Sequence, residues 1–526
     1  MVRHRTRYVP FFWIALILLA SVSGIVAAAP DQKGESLKGE PQISEAPVSA
    51  AFAEAKAKGF PAADRKNTPG NRGLGSIPSP IDKTHLNGKK VTQELLLESG
   101  SPEEEGAGGD IVGALPATYD LRTLGRVSTV KDQGACGSCW AFASYGSLES
   151  TLLPAQSWDF SEDNLKNLHG FDLAPCSGGN SDMSTAYLAR WSGPVAEAED
   201  PYSATGTVSP PGLLPVEHVQ EVLYLPARGS SLDNGNIKGA VSDSGAVYTS
   251  IYWTSSSYNS SSKSYYYAGT SSSNHAVAIV GWNDAYDRNR FSPPAPGDGA
   301  FIVKNSWGSS WGSSGYFHVS YYDSRIGGDN AVFTAEDTGT YDRVYQYDTL
   351  GWTRSIGLGS DTAWFANTFT AVSDESVAAV SFYTPQVSSG FTMYLYLNPT
   401  SGPLGPSGPA STVSGVIALP GYHTVVLPAP VHVQEGESFS AVVRLQTPGY
   451  RYPVPVEAPV SGYASRASAG AGQSWVSRDG NSWSDLTTVT KNGNACLKAF
   501  TQATGPLPLP VLLPMVPGAP RLRTPG

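Results

Sequence analysis

The spacing at which hydrophobic and polar residues recur changes along the chain. Between residues 115 and 336, apolar residues first recur at helical spacing and later form short, nearly continuous runs typical of buried strands. The helical stretches are CWAFASYGSLESTLL, SEDNLKNLHG and DMSTAYLARW, and the strand-like runs are HAVAIVGW, AFIVKNSW and GYFHVSYY. Because helical stretches come first and strands follow, this part of the chain is predicted to be an α+β domain.

A second pattern begins at residue 341 and continues to residue 503. Short runs that alternate in polarity or are rich in aromatic residues are separated by Gly, Pro and Ser turns, and none has a convincing helical period. The runs are VAAVSFYTP, FTMYLYLNP, HTVVLP, FSAVVRLQT and ACLKAFTQ. This pattern predicts an all-β sandwich after the α+β domain.

The remaining stretches have other compositions. A basic start, a long apolar run and small residues ending at Ala28 predict a secretory signal peptide over residues 1–28, with an uncleaved membrane anchor as the alternative. Residues 29–114 are polar, contain one short helical candidate, SAAFAEAKAKGF, and are interpreted as a propeptide-like segment. Residues 504–526 are rich in proline and predict an extended tail.

Composition and net charge argue against a nucleic-acid-binding function. The 526 residues carry a formal net charge of −10, and only 15% of them are charged. This balance offers no basic stripe, so no nucleic-acid partner is expected. An exported chain meets an oxidising environment in which disulfides persist. We therefore expect a secreted or extracellular protein, including one associated with the cell surface.

Two cysteines that lie three residues apart, Cys136 and Cys139, begin the first helical stretch. They admit three interpretations: a redox pair, half of a metal site, or a nucleophile beside a structural cysteine. A zinc site needs a second ligand pair, but Cys176 and Cys496 are isolated. A thioredoxin-type pair normally follows a strand in a βαβ unit, and the pattern shows no such unit.

A nucleophile needs a histidine base and a group that orients the base. Both are found downstream, as His275 in NHAVAIVGW and Asn305 in KNSWG. The third interpretation is therefore favoured, with Cys139 as the nucleophile. It requires no metal and no cofactor, and we expect neither.

Four blocks, QGACGSCWAFA, CSGGN, NHAVAIVGW and KNSWGSSWGSSGYF, resemble in order and spacing those of the papain family (C1) of cysteine proteases. The resemblance covers about residues 115–335. It implies a two-lobed fold, with a helical left lobe and a β-barrel right lobe that face each other across an active cleft. It also implies hydrolysis of protein or peptide substrates through a thioester acyl-enzyme.

The resemblance implies a role for each matching residue. Cys139 would attack as a thiolate favoured by the start of a helix, and His275 would protonate the leaving amine. Asn305 would orient His275, and Trp307 would shield their hydrogen bond from water. Gln133 would donate its side-chain amide to the oxyanion.

The same resemblance implies how the cleft is built. Cys136 and Cys176 are expected to form a disulfide that fixes the left-lobe wall. Gly178 and Gly179 would let an extended substrate approach closely, with Gly179 pairing to it as an added strand. Asn274 stands beside the histidine where family members often carry Asp. The predicted substrate contacts are therefore Gly178, Gly179, Asn274 and Trp307.

Two features depart from the common family pattern. Asn180 stands where many members place an aromatic residue, so the second subsite is expected to be more open or polar. The region before residue 115 lacks the usual long helices, and its GLGSIPSPIDKTHL stretch is suited to lying along a cleft. We expect residues 29–114 to keep the enzyme latent.

The sandwich resembles the lectin-like domain attached to some archaeal and bacterial members of the family, which implies carbohydrate or surface binding. We expect the sandwich to be dispensable for the chemistry. The functional hypothesis is a secreted cysteine endopeptidase with this accessory domain. The alternative is a surface adhesion or binding protein whose protease module serves mainly self-processing. An acyltransferase is disfavoured by the glycines expected along the peptide cleft.

Overall fold

The structure is a computed structural model that describes residues 43–60, 68–91 and 115–503. The predicted signal peptide and the proline-rich tail lie outside the described residues, as does part of the propeptide-like segment. Within the described ranges, no helix is both long and apolar enough to cross a membrane.

The described parts of the N-terminal segment, residues 43–60 and 68–91, are largely extended. They contain the short strand β1 (Ser44–Glu45) and the helix α1 (Ala50–Ala57), which confirms the predicted helical stretch. Beyond α1 the chain folds back on itself, because the Ser49 N–H donates to the Pro80 carbonyl oxygen at 3.0 Å. The glycine- and proline-rich stretch that follows α1 has no regular helix or strand longer than three residues in its described part.

Three of the four α-helices of the first domain, residues 115–336, lie in its first half, as predicted. The longest is buried on nearly all sides, because its residues are apolar or small and it packs against the strands that follow. One further helix was not predicted, because its sequence GNIKGAVSD has two glycines and few apolar residues. The helices are α2 (Cys139–Leu152), α3 (Glu162–Leu168), α4 (Ser181–Ala189) and α5 (Gly235–Asp243).

The strands of the first domain form the second lobe. The buried strand that begins at His275 lies at its centre and pairs antiparallel with a strand on each side. The strands are β2 (Thr118–Asp120), β3 (His218–Leu225), β4 (Val247–Ile251), β5 (Tyr258–Asn259), β6 (Ser264–Tyr265), β7 (His275–Asn283), β8 (Ala300–Lys304), β9 (Tyr316–Ser320) and β10 (Asn330–Glu336).

Residues 341–503 form the predicted all-β sandwich. One sheet has the strand order β16-β15-β18-β13-β20-β21, and its inner face packs on strands β11, β23, β14 and β17 through an apolar core. The elements are β11 (Arg343–Tyr345), β12 (Arg354–Gly357), β13 (Thr362–Thr370), β14 (Glu375–Thr384), β15 (Ser389–Leu397), β16 (Pro409–Ile417), β17 (Gly421–Val433), β18 (Ser438–Gln446), β19 (Val454–Glu457), β20 (Ser474–Ser477), β21 (Trp483–Asp485), α6 (Leu486–Val489), β22 (Asn494–Ala495) and β23 (Leu497–Ala503).

One sheet runs through both domains. Strand β17 of the sandwich pairs antiparallel with β3 of the first domain, with Gly421 opposite Leu223 and Tyr422 opposite Val222. At Gly421 φ is +149°, and an added Cβ atom would lie 2.0 Å from the Val222 carbonyl oxygen. Only a glycine therefore allows the two strands to approach this closely.

A loop of the sandwich, residues 458–467, also contacts the first domain. The Tyr463 ring packs on Phe171 with ring centroids 4.9 Å apart, and the Asp172 N–H donates to the Tyr463 carbonyl oxygen at 2.8 Å. Arg466 donates to the Phe171 carbonyl oxygen at 2.7 Å. The sandwich additionally holds the N-terminal segment, because β1 pairs with β12.

These contacts predict that the sandwich stabilises the protease domain, and the expectation that it is dispensable for the chemistry stays a prediction. We expect a chain of residues 115–336 to unfold at a temperature about 10 °C or more below a chain of residues 115–503. The reason is that Tyr224 and Phe171 lose the aromatic residues packed on them and β3 gains an open edge. Thermal unfolding followed by circular dichroism, with the oligomeric state checked by light scattering, measures this. Equal unfolding temperatures for two monomers would contradict it.

Candidate active site

Three elements bring the predicted catalytic side chains together. Cys139 is the first residue of α2, His275 the first of β7, and Asn305 directly follows β8. The preceding Ser138 does not cap α2 with its side chain; its hydroxyl lies 2.8 Å from that of Tyr202. The positive end of the helix dipole therefore faces the Cys139 sulphur without a side-chain oxygen in between.

The histidine is held in one orientation. Its Nε2 lies 2.8 Å from Asn305 Oδ1, and that same oxygen accepts the Ser306 N–H at 2.9 Å. Because an amide oxygen can only accept, His275 Nε2 carries a hydrogen and donates. Nδ1 has no hydrogen-bond partner among the described residues. Trp307 stacks on the imidazole with ring centroids 4.8 Å apart.

The cysteine is surrounded by N–H donors but is completely buried. Cys139 Sγ accepts the Ala276 N–H at 3.4 Å, and the Gly75 N–H of the N-terminal segment is also directed at it. Burial nevertheless raises the pKa of the Cys139 thiol to about 11 and lowers the pKa of the His275 imidazole to about 4. In this covered state both groups are therefore uncharged at neutral pH.

The predicted oxyanion donor is already engaged. Gln133 Nε2 donates to the Gly73 carbonyl oxygen at 2.8 Å and to the Cys136 carbonyl oxygen at 2.7 Å. Its Oε1 accepts from the Ser306 hydroxyl at 2.6 Å, which fixes the orientation of the amide. A carbonyl group of the N-terminal segment thus binds the amide that was predicted to receive the substrate oxygen.

Residues 73–77 of the N-terminal segment, here called the strap, fill the predicted substrate groove. The Gly179 N–H donates to the Gly75 carbonyl oxygen at 2.8 Å, and the Ile77 N–H donates to the Gly179 carbonyl oxygen at 3.0 Å. The Ser76 N–H donates to the Asn274 carbonyl oxygen at 3.1 Å. Because Gly179 bonds to the residues on either side of Ser76, the strap runs parallel to it.

Two glycines allow the strap to lie against the loop before α2. A Cβ atom added at Gly73 would lie 2.2 Å from the Cys136 carbonyl oxygen, and one added at Gly75 would lie 1.9 Å from that of Gly137. Neither distance is compatible with a side chain, and backbone oxygens of a disulfide-bound loop cannot easily move away. The GLG sequence of the strap is therefore required for this approach.

The cleft wall contains the expected disulfide. Cys136 and Cys176 are joined by an S–S bond of 2.00 Å, and the Gly137 N–H donates to the Cys176 carbonyl oxygen at 3.2 Å. At Gly178 φ is +104°, which favours glycine, and an added Cβ atom would lie 2.8 Å from the Gly75 carbonyl oxygen. The disulfide and the glycines thus shape the groove that the strap occupies.

Two predicted substrate contacts are placed differently. The Asn274 side chain pairs in both directions with the Trp253 backbone, at 2.6 and 3.2 Å, so only its carbonyl oxygen reaches the cleft. Trp307 is fully buried between His275, Trp253 and Trp311 and does not line the groove. Trp307 therefore lies in the position predicted for the residue that shields the histidine, and it is not placed to contact a substrate.

An aromatic residue that the sequence did not reveal lies beside Asn180. The Tyr463 hydroxyl donates to Asn180 Oδ1 at 3.0 Å, and this oxygen also accepts the Met183 N–H at 3.0 Å. The position where an aromatic residue was missing is thus covered by a ring from the sandwich, 283 residues away in sequence. No local pattern could have indicated this contact, because it depends on how the two domains pack.

Two family models match the chain. Residues 115–334 match the papain family cysteine protease model, and residues 344–501 match the lectin like domain. The first domain is a papain-family cysteine protease domain. The protease domain and the sandwich thus confirm the fold class that the sequence predicted.

Curated relatives align with the protease domain. Cysteine proteinase EP-B 1 of Hordeum vulgare is 32% identical over 232 residues, which are 41% of this chain and 57% of that protein. The cathepsin L-like proteinase of Fasciola hepatica is 33% identical over 211 residues, 39% of this chain and 61% of that protein. The chain therefore spans 57% and 61% of the length of these two relatives.

Solved structures share both domains. The cysteine protease and lectin-like domains of Cwp84, a surface layer associated protein of Clostridium difficile, superpose with a TM-score of 0.71 at 23% identity. This match covers 89% of the present chain and 100% of that structure, and it shows the fold alone. A second Cwp84 structure, determined after propeptide cleavage, has a TM-score of 0.64 at 25% identity, covering 74% and 99%.

The uncharged Cys139–His275 pair predicts how the thiol reacts. With a thiol pKa of about 11, about one molecule in 10⁴ carries a thiolate at pH 7. We expect the iodoacetamide reaction of the intact precursor to accelerate about tenfold per pH unit between pH 7 and 10. After strap removal, the rate should level off near neutral pH. Mass spectrometry of Cys139 measures both rates, and a plateau below pH 8 in the intact precursor would contradict the expectation.

Proposed function

We propose that the chain is an exported cysteine endopeptidase that hydrolyses peptide bonds through Cys139, His275 and Asn305. The observation that carries the proposal is the convergence of these three side chains with the Gln133 amide at one end of a groove. Gly179 offers its N–H and C=O to an extended chain in the same groove. The arrangement supports acyl transfer from a peptide that binds as an added strand.

The geometry supports the following sequence of steps once the strap has left. His275 Nδ1 takes the Sγ proton of Cys139, and the sulphur attacks the substrate carbonyl carbon. Gln133 Nε2 and the Cys139 N–H donate to the resulting oxyanion. His275 then gives its proton to the leaving amine, which leaves a thioester. Water, activated by the now neutral imidazole, hydrolyses the thioester and restores the thiol.

We further propose that residues 29–114 are a propeptide and that the enzyme is exported to an oxidising compartment. The strap supports the first point, because it occupies both the oxyanion amide and the strand-pairing site. The Cys136–Cys176 disulfide supports the second. The surface-layer association of Cwp84 agrees with a location outside the cell, including the cell surface.

The proposed ligand of the sandwich is a carbohydrate or another cell-surface polymer. In addition to the lectin-like match, the outer face of its six-stranded sheet supports this proposal. Trp364 and Tyr394 are half-buried on that face, and Arg444 lies over the Trp364 ring at 5.4 Å. Such rings with polar edges are suited to sugars, which combine apolar faces with hydroxyl groups.

The test of peptidase activity is the Cys139→Ala variant of the processed enzyme. We expect it to lose at least about 10³-fold in kcat/KM on fluorogenic peptides, because no other side chain can form the acyl-enzyme. Cys496→Ala is the matched control, since Cys496 is the other free, buried cysteine and lies in the sandwich. Residual activity near that of the wild type in a folded Cys139→Ala protein would refute the proposal.

The same assay addresses the alternative function. An adhesion or binding protein whose protease module serves mainly self-processing would cut its own chain but turn over added peptides poorly. Multiple turnovers of an exogenous peptide by the processed wild type favour the endopeptidase. A single self-cleavage without turnover would favour the alternative.

Latency is tested by the Gly75→Ala variant of the precursor. The added Cβ atom would meet the Gly137 carbonyl oxygen, so the strap should be displaced. We expect the intact variant precursor to cleave peptides about tenfold or more faster than the intact wild-type precursor. Gly59→Asn is the control, because Gly59 has positive φ, which Asn tolerates, and its Cβ direction is open. Equal rates of peptide cleavage by the Gly75→Ala and wild-type precursors, both verified intact by mass, would refute latency through the strap.

A further inference from the structure

A buried carboxylate lies beside the strand-pairing point of the cleft. Asp182 is in the first turn of α4, three residues after Gly179, and its side chain is only 5% exposed. Its Oδ1 accepts the Lys83 ammonium at 2.8 Å. Its Oδ2 is buried and forms no well-aligned hydrogen bond in the described part of the chain, and the Tyr224 hydroxyl is directed at the carboxylate. The carboxylate is thus compensated by a residue of the N-terminal segment.

A second carboxylate faces the same place. Burial raises the pKa of Asp329, the Lys83 ammonium lowers it and the charge of Asp182 raises it. Lys83 thus pairs directly with Asp182 and lines the same cavity as Asp329, on which its charge acts. Its Nζ also lies 4.0 Å from the centre of the Tyr224 ring, a cation–π contact with a residue of β3.

Two arginines line the surrounding cavity, which has room for about 400 Å³ of solvent, but neither replaces Lys83. Arg228 donates to the carbonyl oxygens of Ile326 and Tyr321 and is thereby occupied. Arg325 lines the cavity, yet its charge is not among those that act on Asp329. The ammonium group of Lys83 contacts Asp182, and its charge acts on Asp329.

The strap shows where a substrate side chain would point. Ser76 is the bridge partner of Gly179, and its side chain faces the Tyr248 hydroxyl without forming a well-aligned hydrogen bond. The charges of Asp329 and Asp182 both act on that hydroxyl. Ser76, Lys83 and Asp329 line the same cavity, so a long side chain at the residue paired with Gly179 extends into it.

Removal of the N-terminal segment removes Lys83 but leaves Asp182, Asp329 and the Tyr224 ring in place. Buried carboxylates without a counter-charge are costly, so the vacated position favours a cation. The alternative is that one carboxyl takes up a proton and the pocket accepts apolar side chains. The cation–π face of Tyr224 and the Asp182 oxygen without a well-aligned hydrogen bond favour the first outcome.

We propose that Asp182 and Asp329 form a specificity pocket for a lysine or arginine side chain of the substrate, carried by the residue that pairs with Gly179. Lys83 occupies this pocket in the precursor and takes the place of the substrate cation. The proposal rests on the proposed peptidase function and names its preferred substrate class: proteins with a basic residue on the amino side of the scissile bond.

The test uses the processed wild-type enzyme and a fluorogenic peptide library that varies one position at a time. We expect Lys and Arg to exceed Leu by about tenfold in kcat/KM at one position on the amino side of the cut. Asp329→Asn should lower this Lys/Leu ratio by about tenfold, chiefly through KM. Asp182→Asn should do the same, and Asp329→Asn remains informative if Asp182→Asn fails to fold.

Asp284→Asn is the matched control. Asp284 also accepts a lysine ammonium, that of Lys238 at 2.6 Å, but it lies just beyond the far end of β7 from His275. The ratio of kcat/KM for Lys and Leu peptides should be the same in Asp284→Asn as in the wild type. Equal cleavage of basic and apolar peptides, or an unchanged ratio in Asp329→Asn, overturns the pocket. A processed wild type that cuts no peptide refutes the peptidase proposal instead.

A second measurement does not depend on hydrolysis. In the intact precursor, Lys83→Met should speed alkylation of Cys139 at pH 7 by about tenfold, because the strap loses its ionic contact, and Lys83→Arg should restore the slow rate. Lys90→Met is the control, since Lys90 pairs with Asp233 through a side chain that is 60% exposed. Identical rates for Lys83→Met and the wild type would overturn the counter-ion role of Lys83.

Discussion

The pairing of β3 with β17 is the contact on which the rest of the structure depends. It extends the sheet of the protease domain into the sandwich, with Leu223 opposite Gly421 and Val222 opposite Tyr422. Strand pairing fixes both direction and register, so the sandwich cannot slide along the protease domain. The loop over residues 458–467 is consequently held beside α4, and Tyr463 becomes part of the cleft wall.

The same arrangement explains how a short, irregular segment can cover the cleft without the usual long helices. The N-terminal segment is attached at β12 of the sandwich and again at Gly179 of the protease domain. Attachment at one point raises the effective concentration of the segment at the other, so each contact can be weak on its own. Because the cover excludes water, it also keeps Cys139 and His275 uncharged. The latency that we propose therefore has a steric and an electrostatic part.

The sequence alone could predict the features that are written in local patterns. The four motif blocks indicated Cys139, His275 and Asn305, and the alternating runs indicated the sandwich. Helical stretches were found where apolar residues recur over several turns, whereas α5, with its two glycines, was missed. A local pattern indicates which secondary structure a segment prefers by itself, and this preference was strong in the segments that were predicted correctly.

Contacts between distant segments could not be predicted in this way. Nothing near Tyr463 indicates that its hydroxyl reaches Asn180, and nothing near Lys83 indicates that its ammonium reaches Asp182. Both contacts follow from the packing of whole domains, which a single sequence does not display. The side-chain partner of Asn274 could not be predicted for a related reason, because it is the backbone of Trp253 on a neighbouring strand end.

The N-terminal segment fills the cleft through several hydrogen bonds and one ion pair. It offers a carbonyl oxygen to Gln133, backbone groups to Gly179 and, further along, an ammonium group to Asp182. At the Cys139 sulphur, however, it presents the N–H of Gly75. An N–H donates a hydrogen bond to sulphur, so this contact stabilises the bound strap. Because Gly75 has no side chain, the strap can lie this close to the Gly137 carbonyl oxygen of the loop before α2.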